Sequence, residues 1–100
     1  MRLLIPLLTT ALAAAPAVAA PSAQGKVHLC VACHGEDGVG RDPSWPNLAG
    51  QKAAYLANQL AAFRDGTRRN DMMTPLVTEL SDADIDALAA WYAAQPCPTR

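Results

Sequence analysis

No segment of this sequence alternates apolar and polar residues at strand spacing, which leaves helices and loops to build the fold. There is no internal repeat and no low-complexity tract beyond the opening residues, so repeat architectures and biased tails are excluded. Charge of neither sign dominates. Eight Lys and Arg stand against nine Asp and Glu, and no basic field of the kind that recruits nucleic acid is present.

The 100 residues are enough for one domain, and the first stretch reads as a segment apart from it. Arg2 gives a positive start, Leu3 to Ala15 are almost wholly apolar, and Ala17-Val18-Ala19 is a small-x-small cleavage site. The pattern predicts a secretory signal over residues 1–19, cut after Ala19, because a cut after Ala20 would leave Pro21 at the new terminus. An uncleaved membrane anchor is the competing reading, weakened by Pro6, Thr9, Thr10 and Pro16. A lipoprotein would carry its cysteine directly after the apolar stretch, whereas Cys30 lies well beyond it. The domain proper is then residues 20–100. Without Arg2, seven basic side chains face nine acidic ones. A chain this short commonly needs a disulfide, a metal or another staple to hold its core.

Residues Ala23 to Ala32 predict a short helix that runs into the cysteines and is stopped by glycine. Gly35 to Gly50 then carries four glycines with Pro43 and Pro46, and predicts a long loop of functional character. Leu56, Leu60 and Phe63 have helical spacing within a predicted helix over Ala53–Arg64, with Gly66 as its stop. TRRNDMMTPLVTEL, around Pro75, reads as irregular. Ser81 and Asp84 form a capping-box pattern that opens a helix over Asp82–Ala94, with Ile85, Leu88, Ala89 and Tyr92 as its apolar stripe. The fold class is all-α: three main helices joined by two long loops.

CVACH, Cys30 to His34, carries the chemistry. A Cys-x-x-Cys pair in a dithiol redox site sits beside a βαβ pattern, which this chain lacks. Zinc would need Cys30, Cys33, Cys97 and one of His28 or His34. Adjacent Cys33 and His34 are poorly placed for one tetrahedral ion, and no second compact ligand pair exists. Cys-x-x-Cys-His is the pattern of c-type haem attachment. Two thiols at this spacing add to the two vinyl groups of one porphyrin, and the next residue turns its imidazole onto the iron. Such haem is attached outside the cytoplasm, in keeping with the export signal. A second axial ligand is then wanted, and Met72 or Met73 in the second irregular segment can supply a thioether.

In QGKVHLCVACHGEDG, WPNLAGQKAAYLANQLAAFRDGTRRND and MTPLVTELSDADIDALAAWYAAQ the chain resembles a class I c-type cytochrome. It is most similar to a single domain of the cytochrome c4 group and the short monohaem cytochromes related to it. The resemblance covers nearly the whole segment after the signal, and implies a cytochrome c fold with its helices wrapped around one covalently bound haem c. It implies Cys30 and Cys33 as the thioether residues and His34 as one axial ligand. Because the group's ligating Met lies eight residues before the Ser that opens the last helix, it selects Met73 over Met72. It also implies that the Pro46 carbonyl accepts the second ring proton of His34, fixing its orientation, and that a glycine of the first helix, Gly25, meets an aromatic of the last, Tyr92 or, less well, Trp91. Trp45 and Tyr55 stand near the haem edge or fill the core. His28 reads as a surface residue.

An iron closed by His34 and Met73 implies a periplasmic one-electron carrier, not an enzyme, meeting larger redox complexes, membrane-bound or soluble, transiently around the haem edge. Arg64, Arg68 and Arg69 could form a basic patch near it, although solvated faces are the plainer reading. A haem enzyme or gas sensor with an open or displaceable sixth position is the other class, and the loops offer it no distal residue beyond Arg68 and Arg69. The sequence departs from the c4 group in having one such domain, where that group has two. It also has Cys97, an odd cysteine between two prolines that could join two copies in a homodimer. With the haem as staple, removing it is expected to leave the chain largely disordered. Far-ultraviolet dichroism checks this, and native helix content with a sharp unfolding transition in the apo protein would contradict it.

Overall fold

The computed structural model describes residues 1–13 and 23–99. Residues 1–13 are exposed and without regular secondary structure, and the expected cleavage point at Ala19 lies outside the described residues. No described helix is long and apolar enough to cross a membrane. Four helices form: α1 (Ala23–His34), α2 (Ala53–Asp65), α3 (Met73–Val77) and α4 (Asp82–Ala93). Among the described residues there is no strand, so the fold is all-α, as the absence of alternation predicts.

The last helix is the centre of the packing. Its predicted stripe is its buried face: Ile85, Leu88, Ala89 and Tyr92 are all inside, with Leu88 only 1 % exposed. This face packs on α1 and α2, where Val27, Leu56 and Phe63 complete the core with Val77 and Leu80. The predicted capping box is present. Ser81 Oγ accepts the Asp84 N–H at 3.0 Å, and the Asp84 carboxylate accepts the Ser81 N–H at 3.1 Å, so two otherwise orphaned donors are satisfied. Helix α2 ends at Gly66, as its sequence predicts.

Two boundaries differ from the sequence reading. Helix α1 continues two residues past Ala32, so the whole CVACH segment is helical and only Gly35, at φ 74°, ends it. Its N–H donates to the Val31 carbonyl at 2.9 Å, closing the last turn. The segment read as irregular around Pro75 contains the single turn α3. Pro75 is its third residue, a position whose N–H has no acceptor within the helix, so the missing donor costs nothing there.

The surroundings of Gly25 lie outside the described residues, so its expected meeting with Tyr92 is not described. Two of the three arginines have partners within the fold. Arg64 ties the end of α2 to the start of α4, with Nη2 2.7 Å from Asp82 and Nη1 donating to the Leu80 carbonyl at 3.1 Å. Arg68 instead lies over the Phe63 ring, 4.6 Å from its centre, and donates to Gln59 at 2.7 Å.

The Ser81 N–H, above all, holds the Asp84 carboxyl below its ordinary value of 3.8, with smaller help from the Ser81 hydroxyl and from Lys26. A folded value below the unfolded one means the charge stabilises the fold fully above the unfolded value and ceases to do so as pH falls through the folded one. Replacing Asp84 by Asn keeps the acceptor oxygen and removes the charge. The stability gap between wild type and Asp84→Asn is expected at neutral pH and to close as the solution is acidified below 3.8. Denaturant titrations across that range measure it, and a pH-independent gap would show that the charge is not involved.

Candidate functional site

The four helices and the Gly35–Gly50 loop surround one cavity of about 760 Å³, lined mostly by apolar side chains, within the size range of small-molecule and cofactor sites. Each element contributes chemistry to its wall. Helix α1 supplies Cys30, Cys33 and His34, the loop supplies Trp45 and Pro46, and α3 supplies Met73 with Met72 just before it. Tyr55, Leu56 and Phe63 from α2 and Leu88 and Tyr92 from α4 provide apolar surface. All five residues singled out from the sequence, Cys30, Cys33, His34, Pro46 and Met73, therefore line the same cavity.

The spacing in α1 makes this possible. Residues three apart share a helix face, so both thiols reach the cavity together. Both cysteines are half-buried and neither forms a disulfide. Burial pushes the Cys30 thiol up to about 11, so it stays protonated at neutral pH. That is the reverse of the low-pKa nucleophile of a dithiol redox centre. Among the described residues no cluster of three or more His, Cys, Asp and Glu is arranged to hold a metal ion by itself.

His34 is 6 % exposed, and its Nδ1 donates to the Pro46 carbonyl at 2.8 Å. A carbonyl oxygen only accepts, so the proton is on Nδ1 and the lone pair of Nε2 is left free to ligate. Delivering the Pro46 carbonyl to this point takes a tight loop. The Gly40 N–H donates to Asn47 Oδ1 at 2.8 Å, and a Cβ on Gly40 would overlap the Trp45 carbonyl oxygen, so only glycine admits this approach. The Gly38 carbonyl accepts from Leu48 at 2.7 Å and Ala49 at 3.0 Å, and the Arg41 N–H donates to the Cys33 carbonyl at 2.9 Å. Helix α4 clamps the near end of the loop: the Tyr92 hydroxyl donates to the Gly35 carbonyl at 2.9 Å and Trp91 Nε1 to the Glu36 carbonyl at 3.0 Å.

The two methionines are not equivalent. Met73 is partly buried against the core, whereas Met72 is 55 % exposed. Trp45 and Tyr55 both line the cavity, and His28 is exposed and away from its wall. Cys97 is exposed too, outside the cavity lining, with its sulfur packed against the backbone of Gly50. A residue that sequence reasoning missed is Asn70, which also lines the cavity. Its Oδ1 accepts the N–H groups of Met72 and Met73, both at 2.9 Å. The available signal was Asn two residues before a Met pair, a side chain disposed to bond to the backbone just ahead of it.

Two thiols one helical turn apart, an imidazole held in one tautomer and a thioether around an apolar cavity fit a haem attached through both sulfurs. Comparison with known proteins agrees. Residues 19–91 match the family described as cytochrome c oxidase, cbb3-type, subunit III. The chain is 47 % identical over 79 residues to cytochrome c-554(548) of Halomonas halodenitrificans, covering 76 % of this chain and 95 % of that one. It is 45 % identical over 93 residues to cytochrome c4 of Pseudomonas aeruginosa, covering 93 % of this chain but 46 % of the relative, so it spans about half of that protein. The crystal structure of reduced recombinant cytochrome c4 from Pseudomonas stutzeri superposes with a TM-score of 0.61 at 42 % identity, over 66 % of this chain and 37 % of that one. Cavity, helices and relatives converge, and the chain belongs to the class I c-type cytochromes, in the family of the cbb3-type subunit III cytochrome domain, electron carriers that hold a covalently attached haem c.

Proposed function

We propose that the protein is an exported, periplasmic one-electron carrier whose iron is closed on one side by His34 and on the other by Met73. The observation that carries this reading is the bond from His34 Nδ1 to the Pro46 carbonyl, made beside both cysteines and on the same cavity as Met73. Cys30 and Cys33 would hold the haem through two thioether bonds, each S–H adding across a vinyl group with no oxidant needed. Pro46 keeps the His34 ring from turning, so Nε2 is always presented in the orientation a ligand needs. Met73, packed against the core, is preferred to the exposed Met72.

When bound, haem supplies a one-electron iron couple. What the chain adds is insulation and access. Leu56, Phe63, Leu88 and Tyr92 present apolar, buried surface to the cavity, while Tyr55, Met72 and Leu76 line it and remain exposed. That exposed apolar rim suits brief contact with larger redox complexes as donors and acceptors. Export rests on the apolar start and the Ala17-Val18-Ala19 site.

Optical spectra of the purified haem-loaded protein test the reading. A low-spin spectrum with the weak sulfur-to-iron band, unchanged by carbon monoxide, is expected; a high-spin spectrum that shifts with carbon monoxide would indicate an open site and a sensor or enzyme instead. Met73→Ala is expected to abolish the sulfur-to-iron band and admit carbon monoxide, and Met72→Ala to leave both unchanged. Exchange of these outcomes between the two variants would assign the ligand to Met72.

A further inference from the structure

We propose that Asn70 is the positioning residue that sets how firmly Met73 closes the iron; the proposal rests on the Met73 ligation reading above. Helix α3 has five residues, too few to support itself, because a first helical turn fixes several residues for a single hydrogen bond. Its opening turn is built by Asn70. The two lone pairs of Asn70 Oδ1 are taken up by consecutive backbone donors, the N–H groups of Met72 and Met73. The Asn70 N–H donates to Thr74 Oγ1 at 3.1 Å, and the Thr74 N–H returns to the Asn70 carbonyl at 2.9 Å.

These four bonds close a ring around residues 70–74. They involve both neighbours of the Met73 peptide and no other element of the described chain. Two of the four bonds, including the one to the Met73 N–H, depend on the Asn70 carboxamide, and the side chain that Met73 projects lines the cavity. Removing the carboxamide oxygen frees two donors at the start of α3 and lets that turn open. An open turn withdraws the thioether without disturbing His34 or the cysteines, which belong to α1.

The test is competition at the iron in the oxidised, haem-loaded protein, with imidazole as the probe. Asn70→Ala is expected to raise the apparent imidazole affinity about tenfold, the effect of losing hydrogen bonds that together contribute about one decade in an equilibrium constant. The sulfur-to-iron band should also bleach at a lower temperature than in wild type. Asn70→Asp, which keeps an acceptor oxygen, should restore the wild-type imidazole affinity. Thr74→Val, which removes the acceptor for the Asn70 N–H, should raise it about threefold. A merely structural role would lower the unfolding temperature of Asn70→Ala and leave its imidazole affinity unchanged, and that result overturns the proposal. If Asn70→Ala does not retain haem, an unchanged affinity in Thr74→Val overturns it equally. Absence of the sulfur-to-iron band from the wild-type protein would defeat the ligation reading, and this proposal with it; a wild-type band with unmoved variants would defeat this proposal alone.

Discussion

A short chain buries only a modest share of its surface on folding, and here much of its apolar surface faces a cavity that the haem fills. Helix α4 has one good apolar face. It spends that face on α1 and α2, and the remaining sides of those helices, with α3 and the long loop, enclose a cavity. Leu56, Phe63, Val77, Leu80, Leu88 and Tyr92 belong both to the core and to the cavity wall. Packing and cofactor binding are therefore one surface, and the covalently held haem completes the interior that the polypeptide leaves open.

The same economy governs the polar part of the site. One carbonyl must reach a buried imidazole, and the loop that brings it there is held at several points by backbone bonds and by a glycine too close to the Trp45 carbonyl to carry a side chain. Loops in small domains are usually the least constrained parts of the chain. This one is tied to α1 through Arg41 and Cys33, and to α4 through Gly50, whose N–H donates to the Tyr92 carbonyl at 3.1 Å. The basic side chains nearby are similarly committed: Arg64 to Asp82 and the Leu80 carbonyl, Arg68 to Gln59 and the face of Phe63.

Much of this was legible in the sequence where one residue type does one job. The stripe Ile85, Leu88, Ala89 and Tyr92 is the buried face of α4, Ser81 and Asp84 cap it, and CVACH lies on the cavity. The misreadings have physical causes. Pro75 reads as a breaker unless it stands in a first helical turn, which cannot be known before the start of the turn is known. The end of α1 was set two residues early because cysteine and histidine are indifferent helix formers, and only the glycine after them marks the true stop. Asn70 escaped because its task is to bond to backbone, a relation that an Asn ahead of a Met pair signals only weakly among side-chain spacings.

The bonds from α4 to the loop after α1 join residues far apart in the chain: Tyr92 to Gly35 and Trp91 to Glu36 are separated by 57 and 55 positions. Synthesis delivers the amino-terminal part first. CVACH thus emerges well before the tryptophan and tyrosine that will fasten the loop beside it. The loop that carries Pro46 to His34 is therefore fastened by residues of the last helix to be made.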